Sequence, residues 1–277
     1  MKQVPKLIAF DLDGTLLDDR KGLSERNRRA LLAAAEAGAW LVPATGRIPA
    51  GLPEPLRGMK GMRWGILCNG AELYDFETQR IVGREEIPLE LALELLDFAE
   101  SLGLSYDCYQ DNWGYMTEAM HRAASEHIKD KGILDLVLRL RTPVPELRAY
   151  LREKGETLQK LQFYFTDMAL RARLLRELPE KYPTLAVTTS LPMNIEINSA
   201  AANKGRALLS LCALLGIDPA ETMAFGDGSN DISLLRAAGC GVATANAFDE
   251  VKAAADRVAP SNNESGVAAV LEEYFSA

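Results

Sequence analysis

The sequence predicts an α/β fold: a doubly wound parallel sheet interrupted by an inserted α+β domain. Short apolar runs that end in polar residues or glycine and lead into helices recur at both ends of the chain, the pattern of βα units in a parallel sheet. Between them the pattern changes near Glu85, where a helix rich in Leu and Glu begins. At 277 residues the chain also exceeds the usual length of one domain. The expected division is a core from residues 1–84 and 191–277, with 85–190 inserted as a cap.

The first strand sets the frame. Leu7–Phe10 is a short apolar run that reads as a buried strand, and it ends at Asp11 and Asp13, with Gly14 and Thr15 opening a turn. In an open α/β sheet, ligands sit beyond the carboxyl ends of the strands. Two carboxylates this close repel unless a cation, a proton or hydrogen-bond donors offset their charge. Ser24 then caps a helix rich in Arg, Leu and Ala, which Gly38 stops. The strand Trp40–Ala44 runs into Thr45, Gly46 and Arg47, and a third strand within Arg63–Gly70 ends at Asn69 and Gly70. Ala71–Asp75 and Gln79–Gly83 read as a hairpin.

In the insertion, Pro88–Leu102 is an amphipathic helix with proline in its first turn. Strands are expected at Leu104–Tyr109 and Lys160–Thr166, with helices near Ala119–Lys129, Pro145–Lys154 and Asp167–Leu178, and strands at Leu185–Ser190 and Asn194–Asn198 carry the chain back toward the core pattern. The alternation resumes with the helix Lys204–Leu215 and the strand Thr222–Phe225, which runs into Gly226, Asp227 and Gly228. A helix from Asn230 to Ala237, a strand at Gly241–Ala243 and helices near Phe248–Ala255 and Gly266–Tyr274 complete the chain.

In a parallel sheet these strand ends share one edge. Asp11, Asp13, Thr45, Asn69, Asp227, Asn230 and Asp231 would meet there, with Gly14, Gly46, Gly70, Gly226 and Gly228 letting backbone N–H groups approach an anion. Four acids need a cation. An oxygen-only donor set without histidine or thiol suits Mg²⁺, which keeps waters and favours phosphate-bearing substrates. His121 and His127 both lie in the insertion, six positions apart, and read as surface residues. Lys204 opens a helix, where the dipole disfavours a cation. A lysine there makes sense if its ammonium reaches an anion at the strand ends; a solvated first-turn lysine is the alternative.

Composition narrows the class of protein. A hydrophobic content of 48% with 25% charged residues is that of an ordinary globular chain. The net charge of −8 argues against a nucleic-acid partner, although a metal ion and a lysine can reverse the field inside a cleft. No apolar run approaches a membrane span and no signal-peptide core precedes the first strand, so a cytoplasmic protein without a membrane partner is expected. The four cysteines, Cys68, Cys108, Cys212 and Cys240, have no metal-ligand spacing and read as reduced, packed thiols.

The motifs FDLDGTLL, Thr45 in ATGR, Lys204 in NKG and GDGSND at 226–231 resemble, in order, the four motifs of the haloacid dehalogenase superfamily. The insertion resembles a type IIB cap, while CNGA and the closing segment CGVATANAFDEVKAAADRV resemble the Cof-type hydrolases. INSAAANKG and VATANA depart from the commoner family patterns. The resemblance implies a HAD-like, Rossmannoid core and an aspartyl-phosphate mechanism. Asp11 would be the nucleophile and Asp13 the general acid and base. Mg²⁺ would be held by Asp11, the Asp13 carbonyl and Asp227, with Asp231 as outer support. Leu12, Thr45, Gly46, Lys204 and Asn230 would bind the phosphoryl oxygens. Arg47, Asn69, Gly70 and Asn246 would bind the substrate, Arg47 and Asn69 together with the cap face at its leaving group.

The implied activity is a Mg²⁺-dependent phosphatase of a small phosphorylated metabolite, a sugar phosphate foremost. A phosphomutase and a non-catalytic phosphate-binding protein are the alternatives. The insertion concentrates the aromatics Tyr106, Tyr109, Trp113, Tyr115, Phe163 and Tyr164. Most are expected to fill its own core, with one or two lining a substrate cavity.

Overall fold

The computed structural model describes residues 4–128, 131–189 and 191–275. The chain divides into two compact units, one of Met1–Arg47, Leu52–Arg84 and Asn203–Ala277, the other of Ile48–Gly51 and Glu85–Ala202.

The first unit opens with β1 (Leu7–Phe10), α1 (Glu25–Glu36), β2 (Trp40–Pro43), β3 (Trp64–Leu67), β4 (Glu72–Asp75) and β5 (Arg80–Arg84). The second contains α2 (Leu89–Ser101), β6 (Ser105–Gln110), β7 (Trp113–Thr117), α3 (Glu118–His127), α4 (Lys131–Arg139), β8 (Arg141–Val144), α5 (Leu147–Lys154), β9 (Lys160–Tyr164), α6 (Met168–Lys181), β10 (Leu185–Thr188) and β11 (Asn194–Ser199). The first unit then closes with α7 (Lys204–Leu215), β12 (Thr222–Gly226), α8 (Ile232–Ala237), β13 (Cys240–Thr244), α9 (Asp249–Ala254), β14 (Arg257–Ala259) and α10 (Gly266–Leu271).

In the first unit a parallel sheet runs β14-β13-β12-β1-β2, and β3 continues it through a parallel bridge between Ala44 and Ile66. Alternate residues of β1 enter different cores. Ile8 and Phe10 pack with Leu31 of α1 and Val267 and Leu271 of α10, whereas Leu7 and Ala9 pack with Leu208 and Leu211 of α7 and Leu234 of α8. A sheet covered on both faces explains why its strands read as unbroken apolar runs, and it is the doubly wound arrangement that the sequence predicts. Capping follows the sequence as well: the Ser24 side chain accepts from the Asn27 N–H at the start of α1, and that of Asn203 accepts from the Arg206 N–H at the start of α7.

The second unit is built on a six-stranded sheet of order β10-β11-β9-β6-β7-β8, antiparallel except for β7 against β8. Tyr106, Cys108, Leu161, Phe163, Ile195 and Ile197 form its apolar side with α2, α5 and α6. The alternate residues are charged or polar and also buried: Asp107, Arg141, Lys160, Gln162, Tyr164 and Glu196. They satisfy one another. Asp107 accepts from Arg141 Nε (2.9 Å), Gln162 Nε2 (3.0 Å) and Tyr164 Oη (2.7 Å), and Lys160 Nζ donates to Glu196 at 3.1 Å.

Three differences from the expected layout stand out. The expected return to the core at residue 191 comes later, because β11 pairs antiparallel with β9 and β10 and so carries the chain through Ala202 in the second unit. The strands β7, β8 and β14 and the helix α4 were not foreseen. β7 follows a two-residue turn at Asp111 and Asn112, both at positive φ, a conformation that these residue types tolerate. The expected ends of a helix at Lys129 and a strand at Ser190 lie outside the described residues. Of the two histidines, His121 is half-buried with its ring against the Leu138 carbonyl, and the side chain of His127 lies outside the described residues.

Candidate active site

The strand ends of the first unit converge on Lys204. Its side chain is fully buried, and its ammonium donates to Asp11 Oδ1 at 2.7 Å and Asp231 Oδ1 at 2.6 Å. Asp11 follows β1, Asp231 belongs to the turn after β12, and Lys204 is the first residue of α7, so three remote parts of the chain meet at one cation. A cation at a helix N-terminus is unfavourable by itself; here two carboxylates reverse the balance. Burial lowers the affinity of Lys204 for its proton, but the charges of Asp11 and Asp231 outweigh this and hold the ammonium protonated.

The acids are crowded. One oxygen each of Asp11, Asp227 and Asp231 lie within 4.8 Å of one another. Burial, opposed by Lys204 but reinforced by the other three aspartates, pushes the Asp11 carboxyl up to about 8. Burial also raises Asp227, to about 6, against a 2.6 Å hydrogen bond from the Thr15 hydroxyl. Asp231 is fully committed, with Oδ1 on Lys204 and Oδ2 accepting from the backbone N–H groups of Asp227 (3.0 Å) and Gly228 (2.9 Å). Three carboxylates against one ammonium leave surplus negative charge in a desolvated pocket. An oxygen-only donor set in that state fits a hard divalent cation. Asp11 and Asp227 are the side chains that would hold it, with Asp231 orienting the loop beneath them.

Asp13 is held differently. Its carboxylate accepts from Arg47 through Nε (2.9 Å) and Nη2 (2.7 Å), and from Lys21 Nζ at 2.8 Å. Partial burial would raise this carboxyl, but the Arg47 hydrogen bonds and charge, with help from Lys21, bring it down to about 2. Arg47, expected at the leaving group, therefore has its guanidinium on Asp13. Lys21 lies eight residues beyond Asp13, and nothing in the spacing reveals the fold-back.

The second and third strand ends pack beside these acids. Thr45 is buried, its hydroxyl accepts from the Arg47 N–H (3.3 Å), and its carbonyl accepts from the Asn69 N–H (3.0 Å). Asn69 Oδ1 accepts from Asn230 Nδ2 at 3.0 Å, which ties the third strand end to the loop after β12. Leu12 keeps its side chain in the core between the two aspartates. Gly46 lies against Asn69, whose amide oxygen would sit 2.9 Å from an added Cβ. Gly70, at φ +96°, lies against the start of α7, where a Cβ would come within 2.5 Å of the Asn203 carbonyl. Gly70 thus packs against the start of the lysine helix, while Asn69 is tied to the loop after β12. Asn246, expected at the substrate, donates to the Gly14 carbonyl (2.8 Å) and accepts from the Asn262 N–H (3.0 Å), so it fastens the first loop.

Comparison with known proteins places this geometry. The model of the haloacid dehalogenase-like hydrolases matches residues 8–271. The 5-amino-6-(5-phospho-D-ribitylamino)uracil phosphatase YcsE of Bacillus subtilis is 31% identical over 270 residues, covering 97% of this chain and 95% of that protein. The phosphatase YwpJ of the same organism is 33% identical over 300 residues, covering 98% and 100%. A crystal structure of a haloacid dehalogenase-like hydrolase from Bacteroides thetaiotaomicron superposes with a TM-score of 0.82 at 28% identity, over 98% of this chain and 100% of that one. The chain belongs to the haloacid dehalogenase-like hydrolase family. Within that family it is an enzyme of the phosphoric monoester hydrolase type. Among the described residues no helix is long and apolar enough to cross a membrane.

Proposed function

We propose that the protein is a Mg²⁺-dependent phosphatase of the cytoplasm that hydrolyses a small phosphorylated metabolite, a sugar or sugar-alcohol phosphate, through an aspartyl-phosphate. The observation that carries this reading is the buried Lys204 ammonium bridging Asp11 and Asp231 beside Asp227. In this reading the first unit is the catalytic core and the second a cap that selects the leaving group. The relative YcsE, named for a phosphoribityl substrate, supports a phosphorylated polyol as the first compound to try. The four free cysteines are consistent with a reducing compartment.

The chemistry divides among residues of this chain. A carboxylate oxygen of Asp11 forms a bond to phosphorus as the bond to the leaving oxygen breaks, and Asp13, which must first take up a proton against the pull of Arg47 and Lys21, passes that proton to the leaving oxygen. In the second half, water forms its bond to phosphorus and loses a proton to Asp13, and the acyl-phosphate bond breaks to restore Asp11. Lys204, Asn230, the Thr45 hydroxyl and the N–H groups of Leu12 and Gly46 orient the phosphoryl oxygens, where negative charge is greatest. Mg²⁺, held by Asp11, the Asp13 carbonyl and Asp227, would supply the remaining positive charge that lets an anion attack an anion.

Incubation with p-nitrophenyl phosphate and Mg²⁺ should release phosphate, and Asp11→Asn should abolish that release while the protein stays folded. Activity that survives Asp11→Asn, or is unaltered by chelator, refutes the reading. A panel of phosphorylated sugars, polyols and cofactors then identifies the substrate.

A further inference from the structure

Lys21 stands outside every motif, yet it reaches the site. The side chain of Asp13 accepts three donors: Arg47 Nη2 (2.7 Å) and Lys21 Nζ (2.8 Å) on Oδ1, and Arg47 Nε (2.9 Å) on Oδ2. A carboxylate offers about four lone-pair sites, so one direction, on Oδ2, is left. Both partners can only donate, so they fix where the carboxylate points.

The loop that presents Lys21 is built to hold it. Lys21 takes φ +63°, its N–H donates to the Asp18 carbonyl (2.9 Å), and Asp18 Oδ1 accepts from the N–H groups of Arg20 (2.9 Å) and Gly22 (2.8 Å). Buried amides fasten the same loop to the rest of the unit. Asn27 donates to the Leu16 carbonyl (2.9 Å), and Asn262 donates to the Leu17 carbonyl (3.0 Å). Asn246 fastens Gly14 as described. An ion pair whose lysine is 57% exposed adds little to folding, so this apparatus calls for another explanation.

We propose that Lys21 and Arg47 form a positioning clamp on Asp13, holding its carboxylate as the base that receives the proton of the attacking water. The inference rests on the phosphatase reading above. In the step concerned, the water oxygen bonds to phosphorus, its proton goes to the open lone pair of Asp13 Oδ2, and the bond from phosphorus to the Asp11 oxygen breaks with its electrons returning to that carboxylate. Lys21 is thus a positioning residue for the hydrolytic half of the reaction. It touches neither phosphate nor leaving group.

The test uses the full-length protein, Mg²⁺ and p-nitrophenyl phosphate, whose leaving group departs without needing a proton. Slowing only the second half lowers kcat and KM in parallel and lets the covalent intermediate accumulate. Lys21→Met should lower both by about tenfold, leave kcat/KM within about twofold, and produce a burst of about one equivalent of p-nitrophenolate. Lys21→Arg should recover kcat to within about threefold, since it restores the cation. A fall in kcat/KM would assign Lys21 to phosphate binding. A fall in kcat at constant KM without a burst would make it structural, and no change would make the contact idle; each of these overturns the clamp. Asp11→Asn run alongside separates the two readings, because an active Asp11→Asn removes the covalent intermediate itself, whereas an inactive one with unaltered Lys21→Met removes only the clamp.

Discussion

Lys204→Met keeps most of the buried side-chain volume and removes the ammonium between Asp11 and Asp231. With Asp227 counted, the cluster of three acidic side chains loses the one cation that Asp11 and Asp231 share. Breaking a buried pair by removing one partner costs about 3–5 kcal/mol, because the remaining charge stays desolvated. The variant can relieve that cost by taking up a proton on folding. Its deficit in chelator should therefore be about 3–5 kcal/mol near neutral pH and shrink by about 1.4 kcal/mol for each pH unit lowered while one extra proton is bound. Urea unfolding at a series of pH values measures this, with Trp40 and Trp64 reporting on the first unit by fluorescence. Activity should fall at least about a hundredfold, the loss expected when charge stabilisation at the reacting group is removed. A stability deficit below about 1 kcal/mol, or one that ignores pH, would mean that Lys204 does not neutralise these acids.

Other outcomes follow from the same cluster and its supports. In chelator, the raised carboxyls of Asp11 (about 8) and Asp227 (about 6) stabilise the fold fully below their ordinary value near 3.8, and that contribution is lost as pH rises through the folded values. The melting temperature of the chelated protein should thus fall between pH 5 and pH 8, and millimolar Mg²⁺ should flatten the fall by binding the deprotonated acids. An identical slope with and without Mg²⁺ would count against a metal at these residues. Asn27→Ala strips the fully buried Leu16 carbonyl and the buried Ala268 N–H of their partners. It should cost about 2–3 kcal/mol by thermal or urea unfolding, with the active-site loop loosened.

The sheet and its acidic edge were legible because the physics there is local. The strands β1, β2, β3 and β12 are short, mostly apolar runs that lead into polar residues or glycine, and Lys204–Leu215 has a cap at one end and a glycine at the other. The anomaly of a lysine at a helix N-terminus pointed to the centre of the site. Interactions set by how loops fold back were harder to see. Arg47 follows the second strand end, and its reach to Asp13 depends on the path of the loop that carries Asp13. Asn246 sits where a substrate contact is expected but serves Gly14, since the first loop passes within reach of its amide. The strand Asn194–Ser199 leads directly toward the helix of Lys204, and its antiparallel pairing with β9 and β10 assigns it to the second unit. The aromatics of the insertion divide similarly. Tyr106 and Phe163 fill its apolar core, while Tyr109 lies between Arg141 (4.3 Å) and Lys160 (4.8 Å) on the opposite side.

That opposite side makes the second unit sensitive to frame. In β6 and β9, apolar and polar or charged residues occupy alternate positions of the same strand, and both rows are buried. A one-residue slip of Lys160–Tyr164 against its neighbours would drive Lys160 and Gln162 into the hydrocarbon layer and turn Leu161 and Phe163 toward the carboxylate of Asp107. A change of length is therefore least disruptive in the connecting loops.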